Sequence, residues 1–405
     1  MNIKKRLFIG FVGNFLEHYD HALYGFLAPV LANIFLFQED YTSSLLWIFM
    51  MYPLALLPKI IGSVFFGFIG DTKGAKKALS MSLNGMAIVT VCIGLIPSYQ
   101  SIGIIAPFLL FSLRLSQSFF TSSETVGGAI FLLEEENKIE KNILSSVYDM
   151  SSIAGIFLAS FLISIFSYFG ILDSQWRVLF FIGAITAYLG YLVRRSDEIS
   201  YKKKERSQNV AIIPFCAIVA VSGLSHAIYN IIFVFMNGWL STIASINISN
   251  VFMMNNFLLV LDFVLLPVFG FLASKHSKEK IMAIALFCIC VFSLPLFALL
   301  QSGSLMVIFL VRVLLVIAGV SISAPFYHWA ISITPKHARF KTLGLAYVIG
   351  SQIIGKSAPA VSLFLFSKTK WVVAPGIYLL AVALIASLFL MYLRARQRSM
   401  DKALP

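Results

Sequence analysis

Residues 13–32 read GNFLEHYDHALYGFLAPVLA: two carboxylates and two histidines set in an aromatic and aliphatic run that extends from about residue 7 to residue 36. A run of that length exceeds the roughly 20 residues that cross a hydrocarbon core. An ionised side chain at the centre of a bilayer costs about 2.5–3.5 kcal/mol on insertion scales. The stretch therefore reads as a spanning helix whose polar residues face something other than lipid. At about 100° per residue, Asn14, Glu17, Asp20, His21 and Tyr24 fall on one side of that helix, within an arc of roughly 120°.

The rest of the chain extends this reading. Its 405 residues are 59% hydrophobic and only 12% charged, with a mean hydropathy of +0.89, against about 45–50% and 25% in soluble proteins. Water is not the solvent for most of such a surface, and the length leaves room for about twelve to fourteen spans. Apolar runs between charged punctuation fall near 7–36, 43–70, 78–97, 102–134, 143–169 and 177–193, then near 211–242, 249–273, 281–300, 303–333, 342–366 and 371–393. The only long polar segment, RRSDEISYKKKERSQNV at 194–210, separates them. The expectation is an all-α integral membrane protein of twelve transmembrane helices in two six-helix bundles: 1–193, a cytoplasmic central loop at 194–210, and 211–405 with a short cytoplasmic tail.

The charge distribution supports that count. Of the 31 Lys and Arg, all but Lys59, Arg114, Arg177, Arg312, Lys356, Lys368 and Lys370 fall in the N-terminal segment, alternate short loops, the central segment or the tail. Basic loops stay in the cytoplasm, so both termini and the central loop are expected there, in a bacterial inner membrane. The same sorting explains the net charge of +13 without nucleic acid, for which no soluble basic domain exists. Met1–Arg6 followed by an apolar run is read as a retained first helix, since acidic residues interrupt the run. The cysteines Cys92, Cys216, Cys288 and Cys290 lie inside apolar runs without metal-ligand spacing and read as small buried hydrophobes. No metal or cofactor is expected.

Nine charged residues lie within spans: Glu17, Asp20, Lys59, Arg114, Glu124, Asp149, Asp262, Arg312 and Lys356. Leaving them in lipid would cost on the order of 20–30 kcal/mol, more than a typical folding stability. They must pair or line an interior. In the fourth span Arg114, Gln117, Thr121 and Glu124 share one face, and in the seventh Ser222, His226, Tyr229, Asn230, Phe233 and Asn237 do so. Three wet seams suggest one shared chamber. Glu17, Asp20 and His21, with Glu124 and Asp149, are the candidates for carrying a proton, because carboxylates and an imidazole on one face titrate interdependently. Asn14, Tyr24, Arg114, Gln117, Tyr229, Asn230 and Lys356 are the candidates for substrate contact, the cations for a carboxylate and the aromatic rings for an amine. The competing reading makes Arg114 and Arg312 structural cations held by acids or backbone carbonyls, Lys59 a snorkelling or anchoring lysine, Asp262 a helix-packing acid, and His226 and His328 ordinary interior residues.

Several of these segments resemble the metabolite:proton symporters of the major facilitator superfamily, with the proline/betaine transporters nearest. The resemblance runs through 13–32, GSVFFGFIGDTKGAKKAL at 62–79, IGLIPSYQSIGIIAPFLL at 93–110, the stretch through Gln117 and Glu124, DMSSIAG at 149–155 and QWRVLFFIGA at 175–184. It implies import of a zwitterion or carboxylate with protons by alternating access. It also implies a gating role for the loop motif, with Gly67 allowing close helix packing, and with Asp71 locking against basic partners in the neighbourhood of Lys76 and Lys77. Departures are visible: His18 stands where the family usually has Trp, Ala75 where it has Arg, Ser122 and Ser123 where it has Gly, and Ser274 where an Asp is usual.

The function expected is a secondary active transporter, working as a monomer, that imports a small zwitterionic or carboxylate metabolite by proton symport. The alternative is a proton-coupled exporter. A membrane enzyme or a channel is remote, because the loops offer no nucleophile with its base and no metal-binding cluster, and Glu134–Glu136 reads as a solvated helix end.

Overall fold

The computed structural model describes residues 3–35, 54–135, 140–195, 212–236, 248–335 and 338–403. Among the described residues each of the twelve apolar runs is helical. The first holds α1 (Ile3–Phe26) and α2 (Ala28–Phe35), the second α3 (Leu56–Lys73), the third α4 (Ala75–Leu95), the fourth α5 (Ile105–Thr121) and α6 (Glu124–Glu135). The fifth and sixth are α7 (Lys141–Tyr168) and α8 (Leu172–Arg195). In the second half α9 (Ile212–Asn230) continues into a π-helical turn, Ile231–Phe235. Then follow α10 (Ile248–His276), α11 (Lys278–Leu299) and α12 (Leu305–Ile333). The eleventh run is α13 (Arg339–Ile349), a second π-helical turn at Gly350–Gly355, and α14 (Lys356–Thr369); α15 (Ala374–Ala403) is the twelfth. Most of the central polar segment, and Asn237, lie outside the described residues.

Eight of these helices are long and apolar enough to cross a membrane by themselves, among the described residues. Three of the other runs are broken or charged for visible reasons. The first is interrupted at Leu27 and the fourth at Ser122–Ser123, and α3 carries Lys59, Asp71 and Lys73.

The distribution of polarity is the reverse of a water-soluble protein. Asn14, Glu17, Asp20, Arg114, Gln117, Glu124 and Arg312 are buried, while Phe68, Phe108, Ile88, Phe287 and Leu388 are exposed. Water rewards the opposite arrangement and lipid this one, since lipid demands that every polar group find its partner inside the protein.

The chain divides into two compact units. The first comprises Met1–Glu135, Met150–Gln208 and His337–Leu345; the second comprises Glu136–Asp149, Asn209–Lys336 and Ala346–Pro405. In the first unit α4 packs along α8, α3 along α5, and α1 against both α6 and α8. Trp176 fixes one end of it, its ring edge-on to Phe35 and Phe180 at 5.6 and 5.8 Å between centroids, beneath the Arg177 guanidinium at 4.6 Å. Gly155 of α7 lets backbone touch backbone: a Cβ there would lie 2.2 Å from the carbonyl oxygen of Phe15 on α1. In the second unit α9 packs on the Gly350–Gly355 turn and on α15, while α12 lies against α10 and α11. The small residues again sit at the crossings, with Gly350 against Ser222 and the carbonyl of Val219, and Gly355 against His226. Close approach through Gly is how helices gain dispersion contact where the hydrophobic effect supplies none.

Candidate functional site

The stripe on α1 is buried and bonded on every turn. Asn14 donates through Nδ2 to the hydroxyls of Ser151 and Ser152 on α7, at 2.9 and 2.7 Å, a reach made possible by the Gly155 crossing. One turn on, Glu17 takes an ion pair from Lys59 of α3 at 3.0 Å and a hydrogen bond from the Thr125 hydroxyl of α6. Lys59 is thus not a snorkelling lysine. Its ammonium turns inward to a carboxylate, because a buried acid without a cation would cost more than the lysine loses by leaving the surface.

Asp20 lies on the next turn, 3% exposed. Its Oδ2 accepts from Thr90 Oγ1 at 2.7 Å and from Gln117 Nε2 at 2.9 Å. Gln117 passes the connection to Arg114, whose Nη1 donates to Gln117 Oε1, and the Arg114 guanidinium lies flat over the Tyr24 ring, 3.9 Å from its centroid. Arg114 and Asp20 also feel each other electrostatically. The second oxygen of Asp20, Oδ1, is buried with no hydrogen-bond partner among the described residues. A Cβ at Gly183 of α8 would sit 2.7 Å from it, so that only glycine leaves the oxygen its space.

The set Asn14, Glu17, Asp20, Tyr24, Arg114 and Gln117 is therefore brought together within the first unit. Glu124 is fully buried on α6 and meets the Ser82 hydroxyl of α4 at 2.8 Å. His21 is not brought in: it is exposed on α1, off the buried side of the stripe. Sequence reasoning passed over Thr90, Thr125, Ser82 and the two serines of α7. Spacing does not single out Ser82 and Thr90, because α4 also carries Ser80 and Asn84.

Asp149, Tyr229, Asn230 and Lys356 belong to the second unit. Asp149 takes a hydrogen bond from Ser323 of α12 and lies within electrostatic reach of Asp262 on α10, as does Tyr229. The Tyr229 ring rests 4.7 Å from that of Phe233. Asn230 donates to the carbonyl of His226 at 2.8 Å, a bond within its own helix. Lys356, partly buried, opens α14 directly after the π-helical turn. Arg312 is fully buried on α12 and donates through Nη2 to the carbonyl of Ile232 at 2.9 Å and to the Asn255 amide oxygen. These are the backbone and neutral partners of a structural cation.

The loop motif also has a definite geometry. The carboxylate of Asp71 accepts from the backbone N–H groups of Phe340 and Lys341, each at 3.1 Å, in the first turn of α13. It thus completes donors that a helix start leaves open and places a negative charge at the positive end of the helix dipole. Gly67 faces Lys341, where a Cβ would lie 2.9 Å from that residue's Cα. Lys76 and Lys77 stand in the first turn of α4, after the sharp bend at Gly74 with φ of 91°.

Residues 7–198 match the family described as "Sugar (and other) transporter". A putative proline/betaine transporter of Staphylococcus aureus (strain MSSA476) is 27% identical over 418 residues, covering 96% of this chain and 88% of that protein. The proline/betaine transporter of Escherichia coli (strain K12) is 25% identical over 409 residues, covering 95% and 82%. A glycine betaine/proline/ectoine/pipecolic acid transporter of Dickeya dadantii (strain 3937) is 26% identical over 418 residues, with the same coverage of 95% and 82%. Among solved structures, the proton:xylose symporter XylE of the major facilitator superfamily, bound to 6-bromo-6-deoxy-D-glucose, superposes with a TM-score of 0.70 at 13% identity, covering 97% and 95%. A bacterial homologue of the iron transporter ferroportin in its outward-facing state gives 0.72 at 12% identity, covering 98% and 100%. Likeness of that extent at such low identity establishes the twelve-helix major facilitator fold.

Proposed function

We propose that this chain, a multi-pass membrane transporter of the major facilitator superfamily, imports a small zwitterion of the proline or betaine kind together with a proton, by alternating access of two bundles, 1–193 and 211–405. The observation that carries the reading is Asp20: a buried carboxylate with one oxygen bonded, the other bare, and Arg114 beside it over the face of Tyr24.

The chemistry follows from that arrangement. While Asp20 is ionised, its charge occupies the field of Arg114. When a proton settles on the bare Oδ1, the neutral acid still accepts from Thr90 and Gln117 through Oδ2, and the guanidinium is left to attract a substrate carboxylate. Proton and substrate then enter together, since each makes the other's binding more favourable. Tyr24, and in the second unit Tyr229 and Phe233, offer ring faces to an ammonium group. A membrane potential of about 100 mV adds roughly 2.3 kcal/mol per proton, enough for about a 50-fold accumulation. Glu124 in the first unit, and Lys356 and Asp149 in the second, are further candidates for contact with substrate or proton. The setting is a bacterial inner membrane, with both termini cytoplasmic and the monomer as working unit; the relatives' names support the substrate class.

Uptake of radiolabelled glycine betaine and proline into proteoliposomes tests this. A pH gradient, acid outside, is expected to drive accumulation that a protonophore abolishes. Asp20→Asn is expected to keep exchange of substrate across the membrane and lose the gradient-driven component. Accumulation by Asp20→Asn equal to that of the parent protein would refute the assignment.

A further inference from the structure

The second unit contains a line of titratable side chains that leads from His226 toward Asp149. His226 of α9 lies with Nδ1 2.9 Å from the carbonyl oxygen of Ser222. A carbonyl only accepts, so Nδ1 carries the hydrogen, and the neutral ring presents Nε2 as an acceptor. Facing Nε2 at 3.1 Å is the hydroxyl of Tyr347, the ring of which stands edge-on to the imidazole at 5.2 Å between centroids. The Tyr327 hydroxyl follows, donating to that of Tyr347 at 3.5 Å. Tyr327 in turn lies within electrostatic reach of Asp149, itself in the field of Asp262. Four helices, α9, α13, α12 and α7, each supply one member, and Tyr148, edge-on to Tyr327 at 5.3 Å, holds the phenol from the other side.

We infer that His226, Tyr347 and Tyr327 form a proton relay in the second unit, a protonatable centre besides Asp20 whose far end is Asp149 with Asp262. The inference rests on the symport reading only for its role in transport; the relay itself follows from the hydrogen bonds. A proton arriving from solvent binds the lone pair of Nε2, and His226 becomes a donor at both nitrogens. Tyr347 must then accept from Nε2–H, so its own O–H turns to the oxygen of Tyr327. The Tyr327 O–H, released, turns toward the Asp149 carboxylate. One proton has been added, every hydroxyl keeps its hydrogen, and the direction of the line has reversed. The long 3.5 Å link between the phenols is the joint at which partners exchange. From neighbouring helices, Tyr347 on α13 is bonded to the His226 ring and Tyr327 on α12 to Tyr347; elsewhere in the unit Arg312 is held by Asn255 and Ile232, and Tyr378 by Ser357 and the Ile354 carbonyl. Gly355 admits the imidazole, since a Cβ there would lie 2.3 Å from that of His226.

The test is a pH titration by infrared difference spectroscopy of the purified full chain in lipid nanodiscs, with ring-labelled histidine. The protein has six histidines, and subtracting the spectrum of His226→Gln isolates the one of interest. Tyr347→Phe and Tyr327→Phe are each expected to move its titration midpoint by about half a pH unit or more, and the effect of Tyr327→Phe is expected to vanish in the Tyr347→Phe background. A Tyr327→Phe midpoint equal to that of the parent overturns the relay, because Tyr327 acts on His226 only through Tyr347. A second arm measures protons taken up per glycine betaine in proteoliposomes, where His226→Gln is expected to lower the ratio and an unchanged ratio overturns the transport role. If the parent protein carried no betaine at all, the transport reading would fail while the titration still decided the relay.

Discussion

Lys59 gives the sharpest test of how the first unit holds its charges. Its ammonium is 3.0 Å from Glu17, and the two side chains are 16% and 6% exposed. At that separation and an effective dielectric constant of about 20, the attraction is about 5 kcal/mol, before either ion's loss of water is set against it. Breaking a buried pair from one side leaves an orphaned charge at about 3–5 kcal/mol. Here the residual exposure of Lys59 and the remaining Thr125 hydroxyl bring the expected loss for Lys59→Met to about 2–3 kcal/mol. At about 2–4 °C per kcal/mol, the apparent Tm in detergent should fall by about 5–10 °C. Removing both charges with Glu17→Gln and Lys59→Met together leaves no orphan, so most of that loss should return, to within about 2 °C of the parent. Tryptophan or thiol-reactive dye fluorescence on heating reads both variants. A double variant no more stable than Lys59→Met alone would show that the pair does not act as a unit, and the account of Glu17 as a paired acid would fall.

Gly183→Ala places a methyl 2.7 Å from Asp20 Oδ1; gradient-driven uptake should drop at least about tenfold, while size-exclusion behaviour stays that of the parent, and normal uptake would contradict the space assigned to Oδ1. Arg114→Lys keeps the charge but loses the planar contact with Tyr24 and the fork to Gln117, so half-saturating substrate concentration should rise about tenfold, near 1.4 kcal/mol, whereas an unchanged value would remove Arg114 from the binding role. Asp71→Asn keeps an acceptor for the N–H groups of Phe340 and Lys341 but loses the charge at the helix start, at a cost of about 0.5–1 kcal/mol; Asp71→Ala loses both, so uptake rates should fall in the order parent, Asn, Ala, and any other order would refute the cap.

The fold was readable because lipid imposes so few solutions. Among the described residues each of the twelve runs found from run length holds helix, and what run length missed is where a helix breaks inside a run, as at Leu27 and Ser122–Ser123. The stripe on α1 was readable for the same reason: carboxylates such as Glu17 and Asp20 in an apolar run must turn inward. What the stripe could not supply was the partner of each group. Lys59 meets Glu17 across 42 residues of chain, and Gln117 meets Asp20 across 97, and no periodicity in either helix encodes that choice. Nor does periodicity carry the hydroxyls of Thr90 and Thr125, since an isolated threonine in an apolar helix ordinarily bonds its own backbone. His21 shows the opposite failure. At 100° per residue it falls inside the α1 arc, between Glu17 and Asn14, yet its side chain is exposed while theirs are buried, so angular position alone did not decide burial.

The two units also meet the cost of buried charge differently, and this bears on where movement is possible. In the first, Glu17 is tied to Lys59 and Asp20 lies in the field of Arg114, so protonation of an acid alters the balance of a cation nearby. In the second, Arg312 is held by neutral oxygens. One of them is the carbonyl of Ile232, within the Ile231–Phe235 turn, where the π-helical register frees a carbonyl that an α-helix would have used. Arg312 is bonded here to two neutral oxygens, neither of which a proton would neutralise. It fixes the irregular turn of α9 to α12 and, through Asn255, to α10. In the proposed relay, His226, the two phenols and the Asp149–Asp262 pair are the groups of that unit that respond to a proton. On the proposed symport reading, the acids and cations of the first unit and the line of hydroxyls in the second would each take up a proton without burying two like charges at once.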